Sequence, residues 1–392
     1  MDTSYFDQFG LSQEAVEQIA QTWEISQRSF PKDGVYFLQE EYLADIIAQT
    51  GLRAAAVPTF MDNAAKIRNS EALSRLAWHC HWMLHIASND LKKKGAPYAF
   101  EPQGLAFFPA FPVIANMPAL RAFYQSRGIP LSILHDSATV LDIWAQDYYE
   151  KHNAWGVKCT WINQAFSHNL FRLRRLEFQF GIYDSPFHVF VSSKTGETCA
   201  FSPADKAVAA DGFFCQPDQP VAFMTTFEDS GSTVTGYPAL ANGRLANHVI
   251  TLDCKEWVPL FLPGDAMAHV HIPAIEPLSY EECKAGLEQA REFFPKYFPE
   301  FDFKGFMSTS WLFDPTLQNF LPPTSNIVRF QSLFHLHPRI NANDWQIRER
   351  VFGNPDLPLD KVPQKTSLQR IVKEKILAGH RFRGESCYAT RN

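Results

Sequence analysis

The chain has 392 residues, 46% of them hydrophobic, and a formal net charge of −6. That length supports two or three domains of roughly 150 residues each, and no basic run exceeds Lys92-Lys93-Lys94, so composition lends nucleic-acid binding no support. Seven scattered cysteines without a Cys-x-x-Cys pair argue against a disulfide framework or zinc ribbon and suit a reducing cytoplasm. The start, Met1-Asp-Thr-Ser-Tyr5, lacks a basic and an apolar region, so no signal peptide is expected. Pro102 to Leu120 carries no charge and approaches spanning length, but Pro102, Pro109, Pro112 and Pro118 would break a membrane helix. It is expected as buried loop, with no membrane partner.

Residues 1–155 read as a helical domain. Ser12 precedes Val16, Ile19 and Trp23 on one helix face, and Gly51 stands where a left-handed cap would close Leu38 to Thr50. Met61 to Ala87 is the longest helical pattern and holds His79, His81 and His85, expected as core or partner-face histidines. Pro118 to Arg127 and Ser137 to Lys151 follow. Residues 156–392 read as an α/β domain. After a helix at Trp161 to Leu170, Phe171 to Tyr183 has a strand period, with an expected bulge near Arg174. Leu176, Phe178 and Phe180 share one face there, and Arg175, Glu177 and Gln179 the other. Ala204 to Gly243, rich in Gly, Pro, Asp and Ser, is expected to be the most mobile stretch.

Gly264 to Pro338 organises the second half. Ala266-Met-Ala-His-Val-His-Ile272 alternates as a strand, placing His269 and His271 on one face, and Pro273 ends the ladder. Ser279 with Glu282 forms a capping box for an amphipathic helix that reaches Pro299. Lys304 to Leu312 is a second strand, Asp314-Pro315 restarts a helix, and Asn326 to His337 is a third strand. Strand–helix–strand implies parallel neighbours, with a ligand site where the first strand meets the helix N-terminus. Thr366 to Ala378 is a helix, and Arg381 to Tyr388 a final strand.

His269-Val-His-Ile-Pro-Ala274, Pro277-Leu-Ser279, Phe293-Phe294, Ser310-Trp-Leu-Phe-Asp-Pro315, Ser325-Asn-Ile-Val-Arg-Phe-Gln331 and Arg350-Val-Phe-Gly353 together resemble a bacterial family of N-acyltransferases. That resemblance implies a helical N-terminal domain followed by a GNAT-like mixed-sheet α/β domain, with acetyl-CoA or another acyl-CoA as co-substrate. The acceptor would be a small-molecule or peptide amine. Two parallel strands would splay apart for the pantetheine arm, with the helix start at Leu278 to Glu281 beneath the diphosphate. Ala274, Leu278, Ser279, Tyr280 and Ser308 are the implied cofactor-binding positions. Where the GNAT phosphate loop reads Gln/Arg-x-x-Gly-x-Gly/Ala, this chain has Ile272-Pro-Ala-Ile-Glu-Pro-Leu-Ser279.

For catalysis, His271 is the expected general base, since an imidazole with pKa near 6.5 suits proton transfer from an amine. Glu276 is the alternative base through a water. Ser310, alternating with Ser308 along the second strand, is expected to line the wedge near the acyl carbonyl. Two other readings stand beside this one. His269, His271 and Glu276 come near a cupin metal motif, and a protein with a GNAT-like wedge could bind without catalysing.

Overall fold

The computed structural model describes residues 3–87, 102–275 and 277–391. The chain forms two compact units: residues up to Leu173 together with Pro273–Ile275, and Arg174–Ile272 with the chain from residue 276 onward. The division falls later than the change of pattern near residue 155, because the helix Cys159–Phe166 packs on Ala110–Ile114 and Val140–His152.

Caps set the helix boundaries of the first unit. Ser12 accepts the Ala15 N–H at 3.3 Å to open Gln13–Gln27, and Gly51 closes Glu40–Thr50 at φ 63°. The long pattern Met61 to Ala87 is broken into Val57–Arg68, Glu71–His81 and a π turn at Trp82–Ile86. Ser70 causes the first break by accepting the Leu73 N–H at 3.3 Å as an N-cap. The charge-free segment is buried and partly helical, with Ala110–Ile114 inside it and Phe111 packed 4.9 Å from Phe60. Among the described residues no helix is long and apolar enough to cross a membrane.

The second unit is built on a mixed sheet: β1 (Leu176–Ile182), β2 (Ala266–His271), β3 (Gly305–Ser310), β4 (His335–His337) and β5 (Glu385–Thr390), in the order β1-β2-β3-β5-β4. β1 and β2 are antiparallel, β2 and β3 parallel, and β5 is antiparallel to both β3 and β4. Helix α1 (Tyr280–Tyr297) supplies the crossover between β2 and β3. It packs Phe294 against Phe178, Phe180, Phe301 and Phe303 on one sheet face. Tyr183, Phe187, Phe261, Met267, Met307 and Tyr388 form the core on the other.

Several sequence expectations give way. The bulge near Arg174 is a turn, with Arg174 at φ 58° between Leu170–Leu173 and Leu176–Ile182. Asn326 to His337 is not one strand: Ser325 caps a helix at Asn326–Gln331, and only His335–His337 pairs in the sheet. Gln331 fixes that helix by donating Nε2 to the Leu312 and Asp314 carbonyls at 2.7 and 2.9 Å. Ala204 to Gly243 contains the short strands Ala207–Val208, Phe223–Met224, Phe227–Asp229 and Thr233–Gly236. The last strand begins at Glu385, after Arg381.

Phe294 is fully buried among aromatic rings. Phe294→Ala is therefore expected to lower the unfolding free energy by roughly 3–5 kcal/mol, read from the urea midpoint.

Candidate active site

β2 and β3 share only three register pairs: Met267 with Gly305, Ala268 with Phe306 and His269 with Met307. The register would next set Val270 opposite Ser308, but the ladder has ended. The Ser308 hydroxyl instead donates to the Val270 carbonyl at 2.7 Å, supplying the partner that a buried backbone acceptor requires. Beyond this bond the parallel strands part at their carboxyl ends. β3 stays laddered to β5 along its whole length, from Gly305 with Thr390 to Ser310 with Glu385.

Alternation divides the predicted site residues between two faces. His269 and His271 share the Met267 and Met307 face, whereas Ser308 and Ser310 share the face of Phe306, which packs on Phe178 and Phe303. His271 and Ser310 thus lie on opposite faces of the sheet. The Ser310 hydroxyl accepts the Leu312 N–H at 3.2 Å and starts the turn Trp311–Phe313.

The histidine face carries a polar row. His271 is paired in register with Glu177, and His269 with Gln179. His271 Nε2 donates to Gln179 Oε1 at 2.9 Å, which places the imidazole lone pair on Nδ1. Burial, reinforced by the neighbouring His269, pushes the His271 pKa down to about 4, so the ring is neutral at pH 7. His269 Nε2 donates to the Ile182 carbonyl at 2.7 Å. It does so by lying across Gly181, where a Cβ would come within 2.5 Å of the ring. Glu177, only 1% exposed, completes the row. In the sequence Glu177 and Gln179 are legible only as the polar side of an otherwise apolar strand, and their pairing with the histidines comes from the β1–β2 register.

At the start of α1, Ser279 accepts the Glu282 N–H at 3.5 Å. The complete capping box lies elsewhere, at Thr366 and Gln369. The Arg329 guanidinium sits 4.4 Å over the Tyr280 ring and pairs with Glu281 at 3.0 Å, and Arg175 Nε donates to the Pro277 carbonyl at 3.4 Å. Two arginines thus stand at a helix start whose first turn carries Glu281 and Glu282 and whose loop is rich in proline. Leu278 is half-buried beside them, and Ala274 groups with Pro273 and Ile275 in the first unit. Glu276 lies outside the described residues.

The cupin-like alternative does not survive the fold. Its two histidines sit in a mixed sheet covered by a helix, and His269 Nε2 is held by a backbone carbonyl. Glu276, the third residue of that motif, lies outside the described residues. In the first unit, His79 Nδ1 bonds Ser26 Oγ at 2.8 Å and His85 Nε2 bonds the Pro112 carbonyl at 3.0 Å.

Two further acids stand at the carboxyl end of β3. Asp314, 1% exposed, accepts the Thr316 and Arg383 N–H groups at 2.9 and 2.8 Å. Glu385, also 1% exposed, accepts the Arg339 N–H at 2.5 Å. Burial, helped by the charge of Asp314, raises the Glu385 pKa to about 8.

A mixed sheet whose central parallel pair splays over a helix N-terminus defines a GNAT-like acyltransferase fold. Residues 170–388 match the GNAT-like C-terminal domain family, and residues 41–168 match the N-acyltransferase N-terminal domain. The chain belongs to this two-domain N-acyltransferase family. A crystal structure of an acyltransferase with decanoyl-CoA and teicoplanin is similar over 100% of both chains, at 20% identity and TM-score 0.68. One with decanoyl-CoA alone is similar over 100% of this chain and 99% of that one, at 21% identity and TM-score 0.69. A mutant acyltransferase with octanoyl-CoA gives 20% identity and TM-score 0.68 over 100% of this chain and 99% of that one. At these identities the likeness establishes the fold. No curated protein matches the chain.

Two outcomes test this description. Gly181→Ala should displace His269 and break its bond to Ile182, visible as a shifted imidazole resonance in a protein that remains folded. A Glu385→Gln variant should gain stability over the parent as pH rises from about 4.5 to about 8, and hold that gain above pH 8. The unfolded carboxyl loses its proton first in that window, so the parent loses stability there and the amide does not. Urea midpoints across the pH range give the slope.

Proposed function

We propose that the protein transfers an acyl group from acyl-CoA to an amine within a ternary complex, without a covalent acyl-enzyme. The observation that carries this reading is the early end of the β2–β3 ladder. It leaves a backbone-lined gap between parallel strands, above a helix start supplied with Arg175 and Arg329. A pantetheine arm carries amide groups that can pair with such strands, and a diphosphate suits a helix N-terminus with cations beside it. Ser279, Tyr280 and Leu278 would lie at the diphosphate, and Ser308 would mark the closed end of the gap, where its hydroxyl ties β3 to Val270.

The acyl chain is proposed to be of medium length in place of the acetyl group first expected, since the solved relatives in fold hold decanoyl-CoA and octanoyl-CoA. The amine nitrogen attacks the thioester carbonyl carbon, the C–S bond breaks, and the thiolate leaves. His271 takes the amine's proton on Nδ1 while Gln179 holds the ring, and the proton ends on the CoA sulfur. A base with pKa near 4 removes a proton poorly from a free ammonium ion. It removes one readily from the far more acidic nitrogen formed by attack. Glu276 is a second proposed base, reaching the amine through a water. Ser310 is proposed to support the turn after β3 and not to touch the acyl group.

Calorimetry with decanoyl-CoA, acetyl-CoA and CoA tests the first half of this reading. Micromolar binding, tighter for decanoyl-CoA than for acetyl-CoA, is expected; no binding at millimolar CoA would leave a GNAT-like fold used for something else. His271→Ala should then lower kcat/KM by about 10²-fold or more while leaving decanoyl-CoA affinity unchanged. A loss of only a few-fold in the folded variant would remove His271 from the mechanism.

A further inference from the structure

A cavity of about 360 Å³ lies within the second unit, among Asp211–Arg244, the turn Pro315–Asn319 and Gly379–Arg383. Arg244, Arg381 and Arg383 line it, with Asp211 as the one lining carboxylate among the described residues. Arg381 is already engaged, donating Nη1 and Nη2 to the two Asp218 oxygens at 2.8 and 2.5 Å. Arg383 differs. It is 4% exposed, and its Nε and Nη1 have no hydrogen-bond partner. Its Nη2 reaches only Gln219 Oε1 at 3.5 Å and Asp211 Oδ2 at 3.7 Å. Withdrawing a guanidinium from water with donors unmet is costly, and the cost is recovered when an anion accepts from them.

The surroundings keep this donor in place. Arg383 lies 4.4 Å and Arg244 5.2 Å from the centroid of the Phe213 ring, so one aromatic side chain orients two cations. Arg244 Nη1 donates to the Asp211 carbonyl at 2.9 Å, which fixes its stem beside the cavity. Thr316 and Asn319 add polar groups to the lining. The field is positive enough to act on a neighbour: burial, then Arg383, Lys375 and Arg244, hold His380 below its ordinary pKa.

Position gives the cavity a use. Thr316 follows the carboxyl end of β3, and Arg383 stands just before β5, whose first residue Glu385 pairs with Ser310 at that same end. This is the end at which β3 has parted from β2. We infer that the Arg244–Arg383 cavity binds an oxyanion, a carboxylate or a phosphate, carried by the acyl acceptor. Acceptors would then be amines that bear an anionic group, which neutral amines lack. The word acceptor rests on the acyl-transfer reading; the anion site rests on the arginines alone.

The test titrates the whole protein, held in saturating decanoyl-CoA, with inorganic phosphate and with acetate. Saturable binding in the millimolar range is expected for both anions. Arg244→Gln and Arg383→Gln should each weaken it by at least about tenfold, the loss of one charge-assisted hydrogen bond, with decanoyl-CoA affinity unchanged. Should the buried Arg383 variant fail to fold, Arg244→Gln decides. Three results would overturn the inference: no saturation by either anion in the presence of decanoyl-CoA, undiminished binding in Arg244→Gln, or phosphate that binds CoA-free protein and is displaced when decanoyl-CoA is added, which would assign the anion to CoA. Failure of decanoyl-CoA itself to bind overturns the acyl-CoA reading and the assignment to an acceptor with it.

Discussion

The ladder between two parallel strands stops after His269 and Met307, and the architecture of the second unit follows from that stop. Backbone groups in a sheet interior need partners. Here the Ser308 hydroxyl takes over at Val270, and the strands separate beyond it. β3 cannot drift back to close the gap, because β5 holds its other edge through every register pair from Gly305 to Ser310. Gly305 adds a steric reason: a Cβ there would lie 2.5 Å from the Ala389 carbonyl, so the strand start is pressed against β5. β2 is held in the same way on its far edge, paired with β1 from Ala266 to His271, so each of the two strands keeps its outer neighbour where their shared ladder has stopped.

Much of this was legible in the residues. The alternation of Ala266–Ile272, the crossover helix after Ser279 and the Asp314 cap each have a local physical signature, and each formed where expected. Chemistry that depends on tertiary neighbours was harder to read. Ile327, Arg329 and Gln331 alternate like a strand, yet the Ser325 cap and the bonds from Gln331 to Leu312 and Asp314 make the segment helical. Ser310 and His271 each lie on a wedge strand, which is all that their periodicity shows. Which face each occupies depends on the register between strands, and single-strand periodicity does not contain it. Glu385 and Arg383 offered no pattern at all. Their character comes from burial and from partners at Arg339, Asp314 and Phe213.

The polar groups of the second unit are concentrated at one end of the sheet. Glu177, Gln179 and His271 lie at the carboxyl end of β2, and Asp314, Glu385 and Arg383 at the carboxyl end of β3. The opposite ends are held by aromatic packing, with Phe261 against Tyr183 and Tyr388. Placing buried ionisable groups at a single edge of a mixed sheet confines their desolvation cost to the region where a ligand can repay it. The apolar remainder is free to set stability.

The position of β5 in the strand order affects how the protein comes into being. Glu385–Thr390 lies inside the sheet, between β3 and β4, and supplies the pairing that ties β4 to the rest. On a ribosome, β1 to β3 emerge well before it. Until residue 390 has left the exit tunnel, β3 presents a bare edge and β4 has no neighbour. The sheet therefore closes only after Glu385–Thr390 has emerged, through contacts between segments far apart in the chain, a topology that folds slowly. A nascent chain in that condition exposes a strand edge to other chains, and would depend on chaperones to keep it shielded.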